Sequence, residues 1–144
     1  MTDLSKYGQP FPAGSPTSLT VVAWPDPTVD SRGHKPGSPY VEAVWLGVLG
    51  PSTTLCWARL SRIASARPGT VIDTTDLAIS LGLSGQLGRN APITRTLSRM
   101  VMFGAATSSG DALAVRRALP DLRTTHGRQA VLHGPPGPPT LGPT

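Results

Sequence analysis

The sequence predicts a mainly α domain with a small β-hairpin, flanked by an N-terminal extension and a disordered tail. Three observations carry that expectation. Two stretches, opening at Ser52 and Ala91, repeat apolar residues at helical spacing. The stretch "AATSSGDALAVRR" (105–117) alternates about a turn, as a hairpin does. The 16 glycines and 16 prolines among 144 residues gather towards the two ends. That leaves about 80 to 90 residues to build one modest core.

Residues 1–18, with Pro10, Pro12 and Pro16 among small polar side chains, read as a loose arm. "LTVVAWPDP" (Leu19–Pro27) is a strand or an extended segment lying on the core, because Pro25 and Pro27 forbid a helix there. "VDSRGHKPGSPY" is turn chemistry throughout. In Val41–Leu49 a strand is conceivable, yet Val41, Val44, Trp45, Val48 and Leu49 favour a helix, with Ser38 or Pro39 near its start. Gly50 and Pro51 end it. Residues 19–51 are thus expected as an extension packed on the core.

Ser52 opens the first core helix, with Cys56, Leu60, Ile63 and Ala64 along one side and Arg59 and Arg62 turned away. Arg67-Pro68-Gly69 closes it, and Thr70–Ile72 is a β-branched lone strand. Asp73 or Thr74 caps the next helix, whose positive end Asp76 also favours. After the loop Ser84–Arg89, Asn90 caps a helix over 91–103 with Pro92 in its first turn. Stepping a hundred degrees per residue from Ile93 groups Leu97, Met100 and Val101 on one side. Arg95, Ser98, Arg99 and Met102 fall opposite. The hairpin 105–117 follows, and the core domain spans 52–120. The tail 121–144 ends in "GPPGPPTLGPT", five prolines in eleven residues, too few triplets for a collagen helix.

Charge is distributed unevenly. Residues 1–58 carry Lys6, Arg32 and Lys35 against Asp3, Asp26, Asp30 and Glu42, a net of −1. From Arg59 onward, ten arginines face four aspartates, and no acid occurs between Leu77 and Gly110. A segregated basic half suits a polyanion such as nucleic acid. An arginine-rich codon bias would leave the same trace without any such partner.

The order helix, short strand, helix, loop, helix, hairpin resembles a winged helix-turn-helix domain over residues 52–118. "DLAISLGLS" is similar to the second helix of that DNA-binding family, and "ITRTLSRMVMFGAA" to its third helix running into the first wing strand. The upstream "AWPDPTVDSRGHKPGSPYVEAVWLGVLGPSTTL" resembles the N-terminal part of small winged-helix proteins of actinobacteria and their phages. The resemblance implies a small cytoplasmic transcriptional regulator that binds double-stranded DNA. Helix 91–103 would lie in the major groove and wing 105–117 on the backbone. Arg95 and Arg99, one turn apart, would meet a guanine edge or phosphates. Asn90, Thr94 and Ser98 would add hydrogen bonds, Arg89 would meet a phosphate beside the helix N-terminus, and Arg116 and Arg117 would hold flanking backbone. A homodimer through Val41–Leu49 fits the family. A winged-helix module that binds protein instead stays open, because Met102 lies on the outward face and Ser84–Arg89 exceeds the three- to four-residue turn of the simplest motif.

Enzyme chemistry finds little support. Glu42 is the single glutamate, no Ser/His/Asp set has a recognisable surround, and Gly85 and Gly88 lack the Lys-Ser/Thr of a phosphate loop. Asp26 and Asp30 flank prolines and turns, so loop capping is their expected work. His34 has no companion ligand, and His126 and His133 are seven residues apart, which suits no helical zinc pair. Cys56, the only cysteine, reads as a small core hydrophobe in a reducing compartment. Trp24, Tyr40, Trp45 and Trp57 are expected in the core, a partner-binding patch being the competing role. No apolar run approaches membrane-spanning length, the start lacks a secretory signal, and neither cofactor nor small-molecule ligand is implied.

Overall fold

The computed structural model describes residues 11–122. Its strands are β1 (Ser18–Trp24), β2 (Thr70–Asp73), β3 (Ala106–Ser109) and β4 (Ala112–Arg116). Its helices are α1 (Pro27–Arg32), α2 (Leu46–Leu49, entered through a wide helical turn Val41–Trp45), α3 (Pro51–Ala66), α4 (Thr74–Ser80) and α5 (Pro92–Met102). The tail from residue 123, with His126 and His133, and the arm before Phe11 lie outside the described residues.

The strands form one mixed sheet in the order β2-β1-β4-β3. The architecture is therefore mixed α/β, where the sequence predicts a mainly α fold. β1 makes the difference. It pairs antiparallel with β2 (Leu19 opposite Ile72) and parallel with β4 (Val21 opposite Leu113, Trp24 opposite Arg116). Leu19, Val21 and Trp24 are fully buried on this central strand. Three of the expected elements, the lone strand and the two hairpin strands, are thereby joined through a fourth from the N-terminal extension. The hairpin itself forms as expected, turning at Gly110 with Ala106 opposite Val115.

Pro25 ends β1, but Pro27 does not forbid a helix. It occupies the first position of α1, where no N–H is needed, and Asp26 caps that turn by accepting from the Val29 N–H at 3.4 Å. The same device recurs at Gly50-Pro51. Gly50 (φ +86°) ends α2, and Pro51 then starts α3, one residue before the Ser52 read from sequence. Asp73 caps α4 through the Asp76 N–H at 2.8 Å. At α5 the expected Asn90 cap is absent: Ala91 stands at the cap position, without a side-chain bond, and Asn90 is exposed.

α3 lies on β1 and β4, and α5 lies on α3, α4 and β3. Trp24, Trp45, Trp57, Leu60, Ile93, Leu97 and Met100 fill the space between them. The Trp57 indole N–H donates to the Arg116 carbonyl and that of Trp45 to the Pro120 carbonyl, each at 2.9 Å. Tyr40 is half-buried and accepts from the Leu122 N–H at 2.7 Å. Val41, Trp45, Val48 and Leu49 turn into this core, so the segment suspected of dimerising uses most of its apolar surface internally.

Candidate nucleic-acid interface

α5 is amphipathic because its apolar residues recur at helical spacing. Ile93, Leu97 and Met100 are fully buried, which leaves Arg95 and Arg99 exposed one turn apart. Both line a groove of about 310 Å³ between α5 and the corner where α2 meets α3. Pro92 and Thr96 continue the α5 wall, Gly50 to Thr53 form the opposite one, and no acidic residue lines the groove.

Arg99 is braced across this groove. Its Nε donates to the Leu49 carbonyl at 3.0 Å, and its guanidinium lies 5.7 Å from the centre of the Phe103 ring. Leu49 is the last residue of α2, so the cation sits at a helix C-terminus, where the peptide dipoles favour it. The first turn of α3 enters the same groove. Its Gly50 cap supplies no side chain, and the Ser52 and Thr53 N–H groups have no acceptor within the helix. Two cations and a helix N-terminus thus face one open, acid-free space. That arrangement is suited to a phosphate or another anion.

The other expected ligand-binding residues divide sharply. Arg89 and Asn90 are exposed in the loop before α5. Thr94 is fully buried, with its hydroxyl against that of Ser15 and the Leu87 carbonyl, and it cannot reach a ligand on the outer face. Ser98 is also buried, although the helical wheel places it outward. α5 is flanked by α3 on one side and by β3 and α4 on others, so its covered arc is wider than its apolar stripe.

Arg116 needs the larger correction. It is 3% exposed, and its Nη1 lies 2.6 Å from Asp26 Oδ2 while its Nε donates to the Gly104 carbonyl at 2.7 Å. Its guanidinium also lies 3.9 Å over the Trp24 ring. This arginine joins β4 to the start of α1 and cannot hold DNA. Arg117 is exposed, 3.7 Å from Asp30 Oδ2, a surface pair that leaves it accessible. Asp26 and Asp30, read as loop caps, therefore also neutralise part of the hairpin's charge.

Elsewhere the chemistry is structural. Cys56 is buried, and burial pushes its thiol up to about 12, so it holds no reactive thiolate at neutral pH. His34 stacks on Tyr40 with ring centres 3.9 Å apart, and its Nε2 meets Asp121 Oδ1. Among the described residues no group of three His, Cys, Asp or Glu is placed to hold a metal ion. Nor is any helix among them long and apolar enough to cross a membrane.

Sequence reading missed Ser52, Thr53 and Thr96 as walls of the groove, and the Leu49 carbonyl as a brace for Arg99. The Gly50-Pro51 pair carried a signal for the first two, since proline marks the first residue of a helix as well as a break. No family model, no curated protein and no solved structure matches this chain. What the site does must follow from its own geometry.

Proposed function

We propose that the chain is a winged-helix protein that binds double-stranded DNA through the outer face of α5. The observation that carries this reading is the Arg95–Arg99 groove, two exposed cations one turn apart facing the open first turn of α3 with no acid between them. The order α3-β2-α4-α5-β3-β4 supports a winged-helix arrangement, with β1 added between the first strand and the wing. Arg89 and Asn90 extend the basic edge before α5. The wing's share falls to Arg117 and the exposed turn, since Arg116 is committed to Asp26. A small regulator acting in the cytoplasm is the role this reading implies.

A mobility-shift titration with mixed duplex fragments tests it. The parent should bind, and replacing Arg95 and Arg99 together by glutamine should abolish the shift while the variant still unfolds cooperatively, its midpoint lowered only by the loss of the Arg99 brace on the Leu49 carbonyl. In the single variants, the slope of log affinity against log salt should become shallower by about 0.9 for every phosphate no longer neutralised. Equal binding by parent and double variant at moderate salt rejects this reading.

A second reading, a module that docks protein, is favoured by the exposed Leu55, Val71 and Ile79 on α3, β2 and α4. In that case the double glutamine variant keeps its partner, whereas replacing Leu55 and Ile79 by serine loses it.

A further inference from the structure

Residues 11–17 run past the α4–α5 loop and the covered side of α5. Phe11 is buried in the core, and the Thr17 carbonyl accepts from the N–H of Thr74, the first residue of α4. Between them Ser15 is held at both its backbone and its side chain. Its N–H donates to the Leu87 carbonyl at 2.7 Å, and its Oγ lies 2.6 Å from Thr94 Oγ1. The Thr94 hydroxyl donates to that same Leu87 carbonyl at 3.3 Å. A hydroxyl has one proton, so with Thr94 giving its proton to Leu87, Ser15 is the donor to Thr94. Arm, loop and α5 are thereby closed into one small ring of hydrogen bonds.

The close approach depends on Gly14. Its φ is +113°, and a Cβ there would stand 2.5 Å from the Leu87 carbonyl oxygen. The loop has few ties of its own: Thr75 Oγ1 to the Gly85 carbonyl, the Gln86 N–H to Ser84 Oγ, and the Ala91 N–H to the Gly88 carbonyl. It is also the covalent link between α4 and α5. The ties at Leu87 and Thr94 thus add to the burial of Ile93 in fixing the start of α5, and Arg95 is the next residue.

We propose that Ser15 is a positioning residue for the DNA-binding face, setting the pose of α5, and with it Arg95 and Arg99, through Leu87 and Thr94. This role rests on the DNA-binding reading. Residues 11–17 are then a working part of the interface although none of them touches the ligand.

The test uses the full chain with Ser15→Ala and Ser15→Thr, amide hydrogen exchange over residues 85–91, and affinity for the mixed duplex fragments across a salt series. Ser15→Ala keeps the N–H to the Leu87 carbonyl and removes only the Oγ bond to Thr94. It should raise exchange in the loop and weaken DNA binding several-fold, the most that one hydrogen bond shifts the posed population. The salt slope should not change, because every phosphate keeps its cation. Ser15→Thr, which keeps the hydroxyl, should restore both readouts. If Ser15→Ala binds DNA as the parent does, the positioning role is overturned while DNA binding stands. If the alanine variant loses affinity with the loop's exchange unchanged, the route through Leu87 and Thr94 is wrong and the proposal is likewise overturned. If the parent itself binds no DNA, the reading and the role fall together, and the exchange result still shows whether Ser15 holds the loop.

Discussion

The Arg116 guanidinium, 2.6 Å from Asp26 Oδ2 and stacked on Trp24, ties β4 to the start of α1. An arginine that the sequence offers to a ligand is consumed inside the fold. Its burial makes the pair costly to break from one side, since the arginine left behind keeps only the Gly104 carbonyl and the Trp24 face, with no counter-charge. Asp26→Asn should lower stability by about 3 kcal/mol, read by urea unfolding. Asparagine still caps a helix, so loss of the α1 cap contributes little to that change. A loss within about 0.5 kcal/mol, the scale of a surface substitution, would show the pair to be ornamental.

β1 lies between β2 and β4, so residues 52–120, read as the core domain, do not contain the middle of the sheet. A fragment comprising residues 52–120 leaves β2 with no strand to pair with and uncovers the partners of Leu19, Val21 and Trp24. It should show no cooperative thermal transition, whereas the full chain should melt in one step. A cooperative transition in the fragment contradicts this account of the core.

Cys56 supplies a pH dependence whose sign can be worked out. Burial raises its folded-state pKa from the ordinary 9.0 to about 12. In the unfolded chain the thiol ionises first, so above pH 9 the unfolded state binds fewer protons than the folded one, and stability falls as pH rises. The contribution is fully present below pH 9 and is lost towards pH 12, with a slope approaching about 1.4 kcal/mol per pH unit. The parent minus Cys56→Ala difference in unfolding free energy, measured from about pH 8 to about pH 10.5, should show that decline. A flat difference would mean the thiol is not held protonated.

Arg99 has two tasks, and substitution can separate them. Lysine keeps the charge but has no planar Nε to donate to the Leu49 carbonyl while its head group faces the groove. If the chain binds DNA as proposed, Arg99→Lys should keep the salt slope and weaken affinity several-fold, because the unbraced head group must be ordered on binding, while the absent bond lowers stability by about 1 kcal/mol. Full affinity in this variant would show the brace to be unnecessary.

Much of the fold was legible residue by residue. The stripe Ile93, Leu97, Met100 marked α5, Asp73 or Thr74 marked the start of α4, and Gly110-Asp111 marked the hairpin turn, because each signal acts within a turn or two of chain. Ser108 and Ser109, read with that turn, belong to β3. Arg95 and Arg99 were legible as outward cations for the same reason. Thr94 and Ser98 were not: whether a polar position on a helix is covered depends on how many elements surround that helix, and periodicity carries no such count.

By itself, then, the sequence determined the helices α3, α4 and α5 and the hairpin, though not α1 or the cap of α5, and that the second half carries the positive charge. Tertiary structure decided three further things: that "LTVVAW" is a central strand, that Arg116 meets Asp26 ninety positions away, and that Ser15 reaches Leu87 and Thr94. The physical reason is range. Caps, turns and amphipathic stripes are settled by neighbours in sequence, whereas strand partners, buried ion pairs and the bracing of a loop are settled by which distant groups can satisfy one another once water is gone.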